Sequence, residues 1–353
     1  MSAPRSGAYD AVVVGGGVIG LASAWRAAQR GLRVLVIERD EPGAGASGVA
    51  AGMLAPVTEA EFGEERLLRL NLESAALWPD FAAELEERSG IDTGFRSSGA
   101  LVAAADRDDG EELRRLFGFQ RELGLAVEWL GSRDARRLEP RLSPRVSGAI
   151  LAPEDAQVEP RAVVRALVAA LEREGGELLR ARAGAVAPDS VTLADGTRVR
   201  AAHVVVAAGC WSGAFDGAPA VRPVKGQILR MRGAEPLTER LVRTPRCYVV
   251  SRPNGEVVVG ATVEERGFDT TVTAGGVHRL LEAAWEVLPE IEELELVEAA
   301  ARLRPATPDN APVIAERDGV IWATGHYRNG VLLAPITADL VSGIMARTPA
   351  GVA

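Results

Sequence analysis

Cysteine is nearly absent from this chain of 353 residues: there are two, Cys210 and Cys247. Two isolated thiols build no disulfide framework and have no metal-ligand spacing, so a reducing compartment, the cytoplasm, is expected. Histidine is as sparse: His203, His278 and His326 are scattered, and no metal is expected. No run of 18 apolar residues occurs that could span a bilayer as a helix, and Met1–Ala8 lacks the apolar stretch of a signal peptide. No Lys/Arg run exceeds two residues and the net charge is −9. Nucleic acids and anionic membranes need clustered positive charge, so neither is an expected partner.

What is present is apolar surface. Hydrophobic residues make up 47% of the chain and charged residues 25%, the balance of a folded protein with about two domains of core. Tyr9–Val14 is an apolar run that ends in glycines and predicts a buried parallel strand. Val18–Arg30 predicts a helix stopped by Gly31, and Val34–Ile37 a second strand closed by Glu38. Helices are expected over 64–89, where Ser74, Trp78, Phe81 and Leu85 recur at helical spacing, and over 110–123, 160–173, 274–288 and 331–345. Strands are expected over 95–104, 189–199, 203–208, 247–250, 257–260 and 320–323. The cofactor-like segments lie at the start, middle and end, with strand-rich segments between, which suggests interleaved domains.

The densest chemical signal is Gly15-Gly16-Gly17-Val18-Ile19-Gly20. Gly15 permits a tight turn after the strand, Gly17 lets backbone amides approach a pyrophosphate, and Gly20 lets the helix pack close. The helix N-terminus then faces negative charge. Glu38, at the end of the next strand, can accept hydrogen bonds from a ribose. Arg39 follows it, so a 2′-phosphate, and with it an NADP-linked dehydrogenase, is not dismissed by this segment alone. A glycine turn without ligand is the plain alternative, and the full strand–turn–helix–strand context argues against it. Gly43–Met53 is a long small-residue stretch that could approach a flat ring closely.

Several segments together resemble the D-amino-acid oxidase superfamily of FAD-dependent oxidoreductases, and within it the glycine oxidases of thiamine biosynthesis. These are Gly15–Gly20 with Glu38, Ala50–Leu54, Val158–Pro160, Val205–Ser212, Pro223–Gly226, Leu303–Pro305 and Gly325–Pro335. The resemblance runs from about Tyr9 to Met345. It implies an α/β fold: a glutathione-reductase-like Rossmann FAD domain interleaved with an antiparallel-sheet substrate domain. Together with shifts in composition it places the first at 1–88, 145–220 and 300–353, and the second at 89–144 and 221–299.

The resemblance also implies non-covalent FAD. Its contacts would be Val18 and Ile19 at the pyrophosphate, Glu38 and Arg39 near the adenosine, then Ala46 and Ser47. Ala51, Gly52 and Met53 would lie beside the flavin ring, and Val186 on the adenine side. His326, Tyr327, Arg328, Asn329, Gly330, Val331 and Leu332 would line the pyrimidine end. There a helix opening at Val331 would present free amides to the negative charge of reduced flavin. For the substrate, the resemblance implies a carboxylate-binding fork at Arg304, a second polar ligand at Arg328, and a hydroxyl at Tyr248. Arg302 would share a strand face with Arg304. Arg246 and Val263 stand where a histidine and a methionine are expected near the pocket.

The implied reaction is oxidative deamination of glycine and small amines such as sarcosine or D-alanine, with O2 reduced to H2O2. The imine would hydrolyse to glyoxylate or feed thiazole synthesis. Other amine oxidases or dehydrogenases of the superfamily, acting on sarcosine, D-proline or D-amino acids, remain alternatives, as does a non-catalytic flavin-binding subunit. A homo-oligomer stays open.

Overall fold

The computed structural model describes residues 9–347. The expectation for Met1–Ala8 and the outer ends of the segments 1–88 and 300–353 lie outside that range. Two eight-stranded sheets organise the chain. The first has a parallel centre: Val320–Thr324, Arg198–Val206, Tyr9–Val14, Val34–Glu38 and Glu177–Arg180 lie side by side in that order. Their near-continuous apolar runs follow from burial on both faces. Val18–Gln29, Pro160–Arg173 and Ala334–Arg347 cover one face and bury Trp25, Val163, Leu167 and Val341 against it. A hairpin of Ala183–Ala187 and Ser190–Leu193 extends the sheet from Arg198–Val206.

The second sheet is mostly antiparallel. It runs Glu295–Ala306, Arg222–Arg232, Glu256–Gly260, Tyr248–Ser251, Leu241–Arg243, Ala100–Ala104, Gly148–Ala152 and Glu128–Gly131. The helix Ala274–Val287 buries Leu280, Ala284 and Val287 in the core of this sheet. Gly148–Ala152 and Glu295–Ala306 therefore pair in the second sheet, although the expected divisions at 145 and 300 grouped 148–152 and 300–306 with the cofactor layer. Partners more than forty residues away decide their place.

Two expected boundaries also shift. The strand predicted from 95 begins at Ala100, because Gly99 turns the chain at φ +74. The helix predicted from Val331 begins at Ala334, and Val331–Leu333 form a turn before it. That turn is pinned from the long helix Glu65–Ser89. Its buried Ser74 hydroxyl and Trp78 indole N–H both donate to the Leu332 carbonyl, at 2.7 and 2.8 Å.

The closest backbone approach in the first sheet lies at the glycine turn. Gly15 sits at φ +113, and a Cβ at Gly20 would overlap the Gly15 carbonyl oxygen. Gly20→Ala should therefore push the helix off the strand, and overpacking of this kind costs about 1–3 kcal/mol. Thermal unfolding should show a lower Tm; an unchanged Tm would mean that the helix can shift without loss.

Candidate active site

A cavity of about 850 Å³ opens where the parallel strands end. Val14, Ile37–Glu38, Ala207–Gly209 and Ala323–Thr324 all line it at the C-terminal ends of their strands. This is the ligand side of an open parallel sheet. On its other wall are Gly226, Ile228, Tyr248 and Leu303–Pro305 of the second sheet. The cavity is thus shared by both sheets.

At the glycine turn, the helix Val18–Gln29 begins at Gly17 with no side-chain cap and no acid in its first turn. Its terminal amides are left for a ligand, apart from Val18 N–H, which donates to Ser47 Oγ at 3.0 Å. Gly17 itself has ordinary extended φ, and a Cβ there would meet only Ser47 Oγ at 3.5 Å. The fold itself therefore does not demand a glycine at that position. Glu38 holds the turn in shape by accepting from Gly16 N–H at 2.6 Å and Asp40 N–H at 2.9 Å. Beside it the Arg39 guanidinium lies 3.9 Å above the Trp211 ring. Glu38, Arg39, Ala46 and Ser47 all line the cavity, as does Trp211, whose ring the sequence alone did not mark.

Val186 does not reach it. It pairs with Val191 in the hairpin and packs into the core behind, while Arg180–Gly184, just before it, form that part of the lining.

Farther along, Ala51, Gly52 and Met53 line the cavity. Gly52 is held at φ +87 against Val158, where a side chain would overlap the Val158 carbonyl oxygen. The buried Arg252 donates to the carbonyls of Ala51 and Val158, both at 2.9 Å, and fixes this stretch. His326, Tyr327, Arg328, Gly330 and Val331 also line the wall. Asn329 and Leu332 do not; both are buried behind it, Leu332 with the carbonyl held by Ser74 and Trp78. The helix expected to open at Val331 begins at Ala334, so the wall here is the Gly330–Val331 turn rather than a helix N-terminus.

The substrate residues split by their partners. Tyr248 and Arg304 face the cavity from neighbouring parts of the second sheet. Burial raises the Tyr248 phenol, and the Arg304 charge only partly offsets this, so the hydroxyl stays a donor. Arg304 donates to the Thr262 carbonyl at 3.0 Å and has no carboxylate partner among the described residues. Two glycines make room for this pair: a side chain at Gly226 would overlap the Arg304 guanidinium, and one at Gly260 the Tyr248 hydroxyl. Arg302 leaves on a different course, donating to the Ala44 carbonyl at 2.9 Å.

Arg328 also lines the cavity, but it pairs with Glu61 at 2.8 Å and Glu64 at 3.5 Å. Burial disfavours its charge, and Glu59, Glu61 and Glu64 outweigh that and keep it cationic. Glu59, which the sequence did not flag, lines the same end with its side chain 10% exposed. It lies 3.7 Å from Arg243, which in turn stands opposite Tyr248 across the hairpin. That last placement was readable from the short turn between 243 and 248. Arg246 and Val263 are both outside the lining: Arg246 pairs with Glu286 and Val263 is 65% exposed. Burial pushes the Cys210 thiol up to about 12 and Cys247 to about 11, so neither is a ready nucleophile. No cluster of three metal-ligating side chains occurs among the described residues.

A strand-end cavity with an uncapped glycine turn on one side and an arginine–tyrosine pair on the other defines a dinucleotide-dependent oxidoreductase of the two-sheet kind. The chain belongs to the FAD dependent oxidoreductase family, DAO, which matches residues 10–344. It is similar to a glycine oxidase of Geobacillus kaustophilus, 38% identical over 353 aligned positions that cover 96% of this chain and 93% of that one. A Rhizobium etli protein named for thiamine biosynthesis, ThiO, is 35% identical and spans 94% of each chain. The crystal structure of glycine oxidase from Geobacillus kaustophilus superposes with a TM-score of 0.91 at 35% identity, over 97% of this chain and 96% of that one.

Two outcomes follow from the site. Gly17→Ala should fold with a Tm near that of the parent apoprotein yet retain less flavin after gel filtration, read by absorbance; full retention would remove the turn from the cofactor site. His326 is buried with Nε2 3.0 Å from Thr337 Oγ1, and burial pushes its imidazole down to about 3. Its folded value lies below the unfolded one near 6.5, so its contribution is whole above about pH 6.5 and is lost as pH falls toward 3. Between pH 7 and 5 that loss is on the order of 2 kcal/mol. Denaturant unfolding of His326→Gln should show a correspondingly flatter pH dependence, and an unchanged slope would count against it.

Proposed function

We propose that this protein is an FAD-dependent glycine oxidase that converts glycine and small amines to imines with O2 as acceptor. The observation that carries it is Arg304: a guanidinium in the cavity wall, without a carboxylate partner, beside a neutral tyrosine hydroxyl. The near full-length similarity to glycine oxidases supports the same reading. Arg304 takes the substrate carboxylate in a two-pronged bond, and Tyr248 donates to it. The short reach left by Tyr248 and Arg304 orients the Cα toward the ring site beside Ala51–Met53. The amine is taken as the free base, so its lone pair assists loss of the Cα hydrogen and no side-chain base is needed. FAD, when bound, supplies a two-electron acceptor that O2 regenerates with release of H2O2. Released imine hydrolyses to glyoxylate and ammonia, or feeds thiazole synthesis, as the ThiO relative suggests. The cytoplasm, a small amine and O2 complete the reading. No helix of the described residues is long and apolar enough to cross a membrane.

Arg304→Leu should keep flavin and lose at least tenfold in kcat/KM for glycine, since a hydrogen bond to a charged group contributes about 1.5–3 kcal/mol. Normal turnover in that variant, with Arg302→Leu inactive, would move the role to Arg302. In aerobic peroxide assays of the parent enzyme, glycine and sarcosine should exceed D-alanine, and bulky D-amino acids should be slowest. The differences should be graded, because one methylene changes binding by about 1–3 kcal/mol. A tenfold preference for a large D-amino acid over glycine would sink the glycine assignment.

A further inference from the structure

Arg304 and Arg328 line the substrate end, Arg243 adjoins it through Glu59, and the partners of the three differ. Arg328 is held by Glu61 and Glu64, Arg243 by Glu59, and Arg304 by a backbone carbonyl alone. Of the three carboxylates, only Glu59 lines the cavity. The other acids in the lining, Glu38, Asp40 and Glu41, belong to the ribose end. Glu59 is nearly buried and shares the cavity lining with Tyr248 and Arg328, and its partner Arg243 stands opposite Tyr248 in the sheet. Its loop is fixed from behind. The buried Asp155 carboxylate accepts from Val57 N–H at 3.1 Å, Thr58 N–H at 3.0 Å and the Thr58 hydroxyl at 2.7 Å. The Arg243 guanidinium donates to the Thr58 carbonyl. The backbone that carries Glu59 is therefore anchored by a buried polar cluster, and its side chain is paired with Arg243.

We propose that Glu59 is a specificity-determining residue that restricts the site to amines with one carboxylate, by placing a fixed negative charge where a second carboxylate on the amine substituent would lie. The inference rests on the amine oxidase reading above. One substrate carboxylate is matched by Arg304. A second would meet Glu59 in a partly desolvated cavity, where like charges repel strongly. Arg328 cannot offset this, because Glu61 and Glu64 already balance it, and Arg243, the partner of Glu59, lies outside the cavity lining, so the carboxylate is the charge the cavity meets first. Removing the Glu59 charge leaves Arg243 uncompensated and turns the repulsion into attraction.

The probes are sarcosine and iminodiacetate, which differ by a carboxylate on the nitrogen substituent. The parent enzyme should oxidise sarcosine far better than iminodiacetate. In Glu59→Gln the ratio of kcat/KM for iminodiacetate over sarcosine should rise at least tenfold, mainly through KM. Glu59→Asp, which keeps the charge, should stay within a few-fold of the parent. Bound-flavin absorbance serves as the check on folding; if Glu59→Gln does not retain flavin, Glu59→Ala carries the same expectation. An unchanged ratio in a flavin-bearing Glu59→Gln that still oxidises sarcosine overturns the proposal and leaves the amine oxidase reading standing. An equal rise in Glu59→Asp also overturns it, since volume rather than charge would then be limiting. A parent enzyme that oxidises neither amine overturns the reading beneath.

Discussion

The glycine turn after Tyr9–Val14 is the constraint on which the cofactor half of the cavity depends. Gly20 must lack a side chain for the first helix to lie on the Gly15 carbonyl. That contact brings the helix N-terminus to the strand ends, where its unpaired amides face the cavity. Gly17 is different in kind. Its backbone is ordinary and a methyl group there would have room within the protein, so the fold itself does not demand glycine at that place. One turn thus holds a glycine required by packing beside one that packing does not require.

The opposite wall is held by long-range polar anchors. Trp78 and Ser74 hold the Leu332 carbonyl, Arg252 holds Ala51 and Val158, and Asp155 holds the loop that carries Glu59. Burial pushes the Asp155 carboxyl up to about 6, against three donors that favour its charge. A buried acid kept at such cost is explained by what it positions: two backbone amides that would otherwise be orphaned beside the substrate end. The shape of this wall is set by groups outside the cavity lining.

What the sequence made legible was local. The strands at 9–14 and 34–38, the glycine turn and the helix Pro160–Arg173 are written in runs of neighbouring residues, and the structure keeps them within a residue or two. The pairing of Gly148–Ala152 with Ala100–Ala104 was not legible, because an apolar run does not say which sheet it joins. That Val186 lies outside the cavity lining while Arg180–Gly184 form part of it was not legible for a related reason: hairpin register decides which residues face the cavity. The carboxylate partners of Arg328 lie some 264 residues away in the chain, and no spacing announces them.

Those partners decide which arginine is available. Arg302, Arg304 and Arg328 all line one cavity, and by residue type alone each could bind a carboxylate. Geometry separates them. Arg302 is turned toward Ala44 and Arg328 is neutralised by two glutamates, whereas Arg304 reaches diagonally over Gly226 with its charge unbalanced. A substrate anion gains most where the protein has supplied a cation without its counter-charge, because the desolvation cost of that cation is already borne by the fold. Glycine at 226 is what leaves the guanidinium that place. On the proposed reading, recognition of a small amino acid depends on an absent side chain on one strand as much as on the arginine of the next.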